Sequence, residues 1–347
     1  ATVEDALKSL EIQAAFFDKS SKTFGDAEKL TKRTKEDYTA DIYPHAVYDP
    51  TTNKLILYYT KTVYDRIETV GALSDAASVN AYMFYENGKW SNDGSAYTGE
   101  ELSTNRMKQM AAANNMSLED YQNYYREQWY GQRFLDLRLS DSAQLTRVAE
   151  TNAMYYNGLG IFAWTNDWDN DLSTAFDRDV FVQIYDFERN MFTHIIRMTS
   201  ETSGYFNPRL ERSADAVVLF FGTIAEEDEI GEIDYFSITD IVANSKYEKV
   251  TDGGVNYYKL PEGLEASHAV DTKNVMDYDS SVDSKGQLYL FWTDSVKDGS
   301  LDIMTAMYRE DSGEMTPWSE AVQLTDVDND IYYMNLGAAI IDDMIYI

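Results

Sequence analysis

Closely spaced carboxylates are the feature of this sequence that most clearly indicates a site for chemistry. Asp167, Asp169 and Asp171 alternate along a segment with the character of a loop between two strands. Carboxylate oxygens at alternate loop positions can converge on Ca²⁺, so these three residues are the predicted metal ligands. The EF-hand pattern is not met, because Leu172 stands at the position of its glycine and Arg178 at that of its bidentate glutamate. The alternative is a turn whose carboxylates are solvated.

Four further acidic residues stand at or just before the first strands of a predicted repeat: Asp41, Glu150, Asp277 and Asp279. Glycoside hydrolysis requires two carboxyl groups and a difference between their pKa values. If the chain is an enzyme, these four residues are therefore the predicted catalytic set. With 60 acidic residues in the chain, some carboxylates would also stand there by chance.

Four other residues are candidates for ligand binding: His45, Trp168, Tyr205 and Arg209. His45 lies on a predicted inner strand, where it would line a central channel, although a hydrogen-bonded structural histidine is an equally simple interpretation. The aromatic rings of Trp168 and Tyr205 lie near acidic loops and could stack on sugar rings. Packing of these rings at the rim of the fold is the alternative.

Several other chemistries lack their residues. The absence of cysteine excludes disulfides, thiolate zinc sites and cysteine nucleophiles. The three histidines, His45, His194 and His268, lie on different repeats without metal-ligand spacing, so a histidine-rich metal site is not predicted. Neither a glycine-rich phosphate loop nor a Gly-x-Ser-x-Gly elbow occurs.

The composition limits the partners and the location of the chain. Its 347 residues include 29 basic and 60 acidic side chains, and the net charge of −31 repels nucleic-acid phosphates. The longest apolar run, residues 216–221, is far shorter than the roughly 20 residues of a membrane helix, so membrane insertion is not expected. A cysteine-free, acidic, tyrosine-rich chain is typical of secreted proteins of Gram-positive bacteria, which predicts an extracellular or cell-surface location.

A short signature, an apolar residue followed by threonine, closes five strand-like runs. Its copies are Leu30-Thr31, Leu145-Thr146, Met198-Thr199, Val250-Thr251 and Leu324-Thr325. The intervals from 145 to 198 and from 198 to 250 nearly agree, and the others are lengthened by insertions. Self-similarity at such a period indicates a repeat architecture.

Each repeat contains the pattern of four antiparallel strands. The second strand is nearly continuous and apolar, as in residues 217–221 and 288–292, which is typical of a strand buried on both faces. The third strand alternates, as in residues 302–308. Four strands per unit of about 40 to 50 residues predict an all-β fold, a β-propeller, whereas a β-sandwich gives no reason for a repeated signature.

The predicted propeller is a single domain over residues 1–347 with about five blades. The first residues resemble third and fourth strands and the last residues resemble first and second strands, so the two ends together would complete one blade. If the ends are accidental, the alternative is six to eight blades. A predicted helical insertion, residues 92–140, interrupts the first full blade, with capping boxes at residues 98–101 and 117–120. It would serve as a lid on the rim or as a docking surface.

The order of strand and turn motifs in residues 288–325 resembles the repetitive β-propeller regions of large secreted or cell-wall-attached bacterial surface proteins. Its parts are Tyr-Leu-Phe-Trp-Thr, Asp-Ile-Met-Thr-Ala-Met, Trp-Ser and Gln-Leu-Thr. The resemblance implies a fold and assigns no functional residue. The predicted function is a non-catalytic adhesion or scaffold module, which binds carbohydrate or protein through its loop-rich face and adjoins neighbouring domains of a parent chain. The alternative is a propeller-fold glycoside hydrolase with paired carboxylates at the channel mouth.

Overall fold

The fold is all-β in a computed structural model of the chain. The model describes residues 10–31, 39–63, 77–91, 111–112, 115–117, 120, 148–167, 178–192, 196–199, 204–213, 216–224, 231–238, 248–252, 255–259, 266–272, 277–295, 301–309, 318–326, 333 and 335–347. Within these ranges no helix is long and apolar enough to cross a membrane.

The N-terminal described segment is one antiparallel hairpin made of short strands. These are β1 (Gln13–Ala14), β2 (Phe17–Asp18), β3 (Thr23–Phe24) and β4 (Glu28–Lys29). β1 pairs with β4, and β2 pairs with β3 nearer the tip of the hairpin.

The first four-stranded sheet is a meander whose strands are adjacent in chain order. Its strands are β5 (Thr39–Asp49), β6 (Lys54–Val63), β7 (Ala77–Glu86) and β8 (Lys89–Ser91). Tight turns at Asn53 and at Asn87-Gly88 join these strands, and all three residues have positive φ, at 56°, 53° and 77°. Asparagine and glycine tolerate this left-handed region better than other residues, so they favour tight hairpins here.

The second sheet repeats this meander with a divided outer strand. Its strands are β9 (Val148–Tyr156), β10 (Leu159–Asp167), β11 (Arg178–Asp186), β12 (Met191–Phe192) and β13 (Ile196–Arg197). Both β12 and β13 pair with β11, so together they take the place of one fourth strand.

The third sheet contains a correction to the predicted repeat. Its strands are β14 (Gly204–Arg212), β15 (Val217–Ile224), β16 (Gly231–Ser237) and, after a separate hairpin of β17 (Glu248–Asp252) and β18 (Val255–Lys259), β19 (Ser267–Thr272). The prediction that Val250-Thr251 closes a fourth strand was wrong, because β17 pairs only with β18 and the strand next to β16 is β19.

The fourth sheet and a terminal hairpin complete the described strands. The sheet consists of β20 (Tyr278–Val282), β21 (Leu288–Asp294), β22 (Asp302–Met307) and β23 (Val322–Gln323). The hairpin consists of β24 (Ala339–Ile341) and β25 (Met344–Tyr346). The third strand predicted over residues 302–308 is confirmed as β22, and β11 and β16 take the same place in the second and third sheets.

The threonine signature has a structural cause in three of its copies. The hydroxyl oxygens of Thr199 and Thr325 each accept an N–H from the neighbouring third strand, at 2.9 and 2.8 Å. Each of these hydroxyls also donates to an aspartate, Asp179 or Asp302, and so ties the end of a fourth strand to its third strand. The hydroxyl oxygen of Thr31 accepts the N–H of Ile12, the residue before β1, at 2.9 Å. Leu145-Thr146 lies outside the described residues.

The sheets stack face to face in chain order, and a separate apolar layer fills each interface. Tyr58, Phe162 and Trp164 lie between the first and second sheets. A second layer lies between the second and third sheets, and a third layer lies between the third and fourth. Successive side chains of β15 enter different layers, Leu219 the second and Phe220 the third, and both are fully buried. This confirms second strands buried on both faces and, with the four-stranded meanders, a β-propeller.

The ends of the chain do not pair with one another within the described strands. The N-terminal hairpin and β24–β25 belong to separate two-stranded sheets. The composite blade and the count of about five blades therefore stay predictions.

The predicted helical insertion, residues 92–140, lies almost wholly outside the described residues. Among its described residues, the Ser117 hydroxyl oxygen accepts the backbone N–H of Asp120 at 3.0 Å, which is the hydrogen bond expected of a capping box, and the helical insertion stays a prediction. The Ser117 hydroxyl also donates to the Asp120 carboxylate at 2.6 Å.

Candidate active site

The first strands of neighbouring sheets meet at the centre of the fold, and polar side chains join them. From β9, Glu150 Oε2 accepts the N–H of Asn207 at 2.7 Å, and Asn152 Oδ1 accepts the N–H of Leu210 at 3.2 Å. Asn207 and Leu210 belong to β14, the first strand of the next sheet. β14 is an edge strand, so along one side its backbone N–H groups have no partner strand in its own sheet. Side chains of β9 accept hydrogen bonds from these groups instead.

The same arrangement joins the fourth sheet to the C-terminal hairpin. The Oδ2 atom of Asp277 accepts the N–H of Leu336, and the Oδ2 atom of Asp279 accepts the N–H of Ala338 at 2.9 Å. Ser281 on β20 continues the series by accepting the N–H of Ile340 at 3.0 Å. Three of the four predicted catalytic carboxylates thus each accept a backbone N–H: Glu150 and Asp279 on central strands, and Asp277 directly before one.

The junction between the third and fourth sheets differs from these two. Equivalent positions on the four first strands carry His45, Asn152, Arg209 and Asp279. Each of these residues pairs in register with a corresponding residue of its second strand, which is Tyr58, Ala163, Phe220 and Phe291 in turn. Asn152 and Asp279 accept an N–H there, whereas the guanidinium of Arg209 has no acceptor atom. Its buried Nε has no hydrogen-bond partner within the described part of the chain. A cation therefore stands where the other junctions have an acceptor.

Glu211 lies two residues beyond Arg209 on β14 and carries the most perturbed carboxyl group of this region. The pKa of Glu211 is raised to about 7, mainly by burial and in smaller part by the negative charge of Asp279 on the next first strand. A hydrogen bond from the N–H of Arg212, at 2.9 Å to Oε1, acts in the opposite direction. The site therefore combines a carboxyl that is about half protonated at neutral pH with a second carboxyl close enough to influence it.

Asp279 is held in one orientation by two backbone groups. Its Oδ1 atom accepts the N–H of Ser280 at 2.9 Å, while Oδ2 accepts the N–H of Ala338. Nearby, the hydroxyl of Tyr278 donates to the carbonyl oxygen of Asn207, which joins β20 directly to β14. Burial raises the pKa of Tyr278 well above its usual range, so the phenol stays a donor.

His45 lies beside this cluster on the first strand of the first sheet. It is half-buried, and burial is the main cause that lowers its pKa below the ordinary value of 6.5. The positive charge of Arg209 lowers it further, while the backbone of Thr151 opposes the shift. At neutral pH the imidazole is therefore uncharged and can either donate or accept a hydrogen bond.

Bulges in three first strands shape the centre of the fold. The register between first and second strands shifts at the same place in the first three sheets, and the leading residue of each shift has positive φ: Tyr43 at 52°, Glu150 at 50° and Asn207 at 52°. Bulges re-aim side chains and concentrate next to active sites. Tyrosine and glutamate rarely adopt positive φ, so the surrounding contacts must hold Tyr43 and Glu150 in this conformation.

The remaining predicted site residues have other positions. Asp41 is buried on β5 in register with the buried Lys61. Tyr205 is half-buried, and its ring makes an edge contact with Phe221 at 5.7 Å, within the layer between the second and third sheets. Trp168, Asp169 and Asp171 lie outside the described residues, and Asp167 is the last residue of β10. The calcium site therefore stays a prediction.

Glu211 was not among the predicted catalytic residues, because the prediction considered only acidic residues at or just before the first strands. It lies near the end of a first strand, in the run Asn207-Pro208-Arg209-Leu210-Glu211-Arg212. The available signal was the alternation of Arg209 and Glu211 with the buried Leu210, which puts both charged side chains on one face of a central strand.

No family model matches the chain, and no curated protein matches it. Solved structures resemble it at low identity. The family 117 glycoside hydrolase Zg3597 of Zobellia galactanivorans is 9% identical with a TM-score of 0.40, over 92% of this chain and 77% of that one. The GH93 α-L-arabinofuranosidase of Fusarium graminearum is 8% identical with a TM-score of 0.38, over 86% and 69%. The Bombyx mori GH32 β-fructofuranosidase BmSUC1 is 9% identical with a TM-score of 0.34, over 74% of this chain and 43% of that one.

These comparisons correct the predicted function. The prediction of a non-catalytic adhesion or scaffold module is contradicted, because the three solved structures named above are glycoside hydrolases. The likeness is one of fold and transfers no residue to this chain. Resemblance to bacterial β-propellers is confirmed at the level of the propeller alone, and the extracellular or cell-surface location stays a prediction.

Proposed function

We propose that the chain hydrolyses glycosidic bonds at the junction of β14 and β20, with Glu211 as the general acid and Asp279 as the second carboxylate. The observation that carries this proposal is the pair itself. Two carboxyl groups lie on adjacent central strands, and burial together with the neighbouring charge raises the pKa of one of them to about 7. A carboxyl kept partly protonated beside a second carboxylate is the arrangement that glycosidic cleavage requires.

The acid step follows from the environment of Glu211. At neutral pH about half of the molecules carry its proton, which can be donated to the oxygen of the departing sugar as the glycosidic bond breaks. Proton donation by a positioned acid accelerates such reactions by about 10² to 10⁴. The transition state is positively charged at the sugar ring, and the carboxylate of Asp279 stabilises this charge. A water molecule forms the new bond to the anomeric carbon as the glycosidic bond breaks, and the Asp279 carboxylate takes the proton that this water loses.

Arg209 and His45 supply the proposed substrate contacts. Arg209 lies on β14 at the same junction, and sugar hydroxyl oxygens accept hydrogen bonds from guanidinium N–H groups. His45 already makes a hydrogen bond with the backbone of Thr151, so its other ring nitrogen is the one proposed to contact the sugar. A carbohydrate ligand therefore has polar groups for its hydroxyls next to the two carboxyls, and the two earlier candidates Arg209 and His45 keep a binding role in this proposal.

The test is sugar release from a panel of plant, algal and bacterial polysaccharides, measured with wild-type protein and three variants. Glu211→Gln and Asp279→Asn should each abolish release, because they remove the acid and the second carboxylate. The control Glu188→Gln, at an exposed turn, should release sugar as the wild type does. Hydrolysis that survives in both Glu211→Gln and Asp279→Asn would overturn the proposal.

A further inference from the structure

A second polar cluster lies on the third sheet, between β16 and its outer strand β19. Glu232 and Asp234 alternate along β16 and so lie on the same face of that strand. His268 of β19 pairs in register with Asp234. One ligand atom from each of Glu232, Asp234 and His268 lies within 4.8 Å of the others.

The distances within this cluster suit two ligands of one metal ion. His268 Nδ1 and Asp234 Oδ1 are 3.1 Å apart. Zinc binds imidazole nitrogen and carboxylate oxygen at about 2.0 to 2.2 Å, so adjacent ligands of one zinc ion are separated by roughly 3 Å or slightly more. Glu232 is exposed and can approach by rotating its own side chain. An ion between the three groups therefore needs no movement of the backbone.

The other atoms of the two inner ligands are held by further groups. Nε2 of His268 lies 3.2 Å from Asp271 Oδ1, so this carboxylate can accept the second ring N–H of the histidine. A metal-bound histidine usually donates its other N–H to a carboxylate in this way. On the opposite side, the Thr223 hydroxyl donates to Asp234 Oδ2 at 3.0 Å and leaves Oδ1 directed toward the histidine.

We propose that Glu232, Asp234 and His268 bind one Zn²⁺ ion, with Asp271 orienting the histidine. A site of two carboxylates and one imidazole favours zinc over Ca²⁺ or Mg²⁺, which prefer all-oxygen ligands. The ion joins β16 to the outer strand β19, whose register with β16 shifts between Ile233 and Asp234. The ion lies where the third and fourth strands of this sheet pair. It therefore stabilises the third sheet and is not part of the hydrolytic site. Sequence spacing could not indicate it, because Asp234 and His268 are 34 residues apart.

The experiment is calorimetric titration of the metal-free protein with Zn²⁺, followed by thermal melts with and without the ion. We expect one high-affinity equivalent and a higher Tm with zinc. His268→Gln should remove that equivalent, and Asp271→Asn should weaken it by about 10- to 100-fold, the usual effect of losing such a partner. Ca²⁺ and Mg²⁺ should not compete at equal concentration.

Cu²⁺ provides a second readout that a merely acidic surface would not give. Its electron paramagnetic resonance spectrum should show coupling to one nitrogen in the wild type, and this coupling should be lost in His268→Gln. The matched control Glu188→Gln should bind zinc as the wild type does. Equal zinc affinity in the wild type and His268→Gln would overturn the proposal and attribute the binding to the net charge of −31.

Discussion

Replacing Glu211 with glutamine should change how the stability of the protein depends on pH. The carboxyl has an ordinary pKa of 4.5 and a folded-state pKa of about 7, raised mainly by burial. A folded state that holds its proton more tightly loses stability as pH rises from the unfolded value through the folded one. Glutamine resembles the protonated acid and removes this dependence. At about 1.36 kcal/mol per pKa unit, the free energy of unfolding of the variant should rise relative to wild type by roughly 2 to 3 kcal/mol between pH 5 and pH 8.

The assay is urea unfolding of both proteins at several pH values between 5 and 8. The difference in unfolding free energy should grow steadily and level off above pH 7. The control Glu188→Gln changes an exposed carboxyl and should give a difference that is nearly independent of pH. A flat difference for Glu211→Gln as well would refute the inference that burial holds the proton on Glu211.

Three further predictions concern the same region and the repeat signature. Asp279→Asn should lower the pKa of Glu211, because it removes the neighbouring negative charge, and carboxyl NMR titration measures this. Arg209→Met should raise the pKa of His45 toward its ordinary value, because the variant lacks the positive charge that, together with burial, lowers this pKa. Imidazole NMR titration tests this. Thr199→Val should destabilise the fold by about 1 to 3 kcal/mol in urea unfolding, because it leaves a buried N–H without its acceptor. A change below about 0.5 kcal/mol would contradict the role assigned to the signature.

The repeat could be predicted from the sequence where its causes are local. The apolar second strands are buried on both faces, so every residue of such a run must be apolar, and this pattern is visible in the chain. The threonines at 31, 199 and 325 also recur for a reason of local geometry. Val250-Thr251 misled because the same two residue types occur in the β17–β18 hairpin, and only the partner strand, which is distant in sequence, decides their role.

The candidate site was predictable only in part. The pattern placed Glu150, Asp277 and Asp279 on or next to first strands, because such positions follow from the repeat. It could not reveal that backbone N–H groups of the following unit would bind all three. Nor could it reveal that the half-buried Glu211 would lie near enough to Asp279 to be affected by its charge, because the two strands are separated in sequence by most of a sheet.

The most direct test of the account is hydrolysis by Glu211→Gln of two glycosides of one sugar that differ in their leaving groups. The sugar is the one that the wild type releases from the polysaccharide panel. A poor alkyl leaving group needs the proton of Glu211, so the variant should lose about 10² to 10⁴ in kcat/KM on this substrate. A dinitrophenyl leaving group departs without protonation, so its hydrolysis should be largely retained. Equal losses on both substrates, or no loss on either, would contradict the assignment of Glu211 as the general acid.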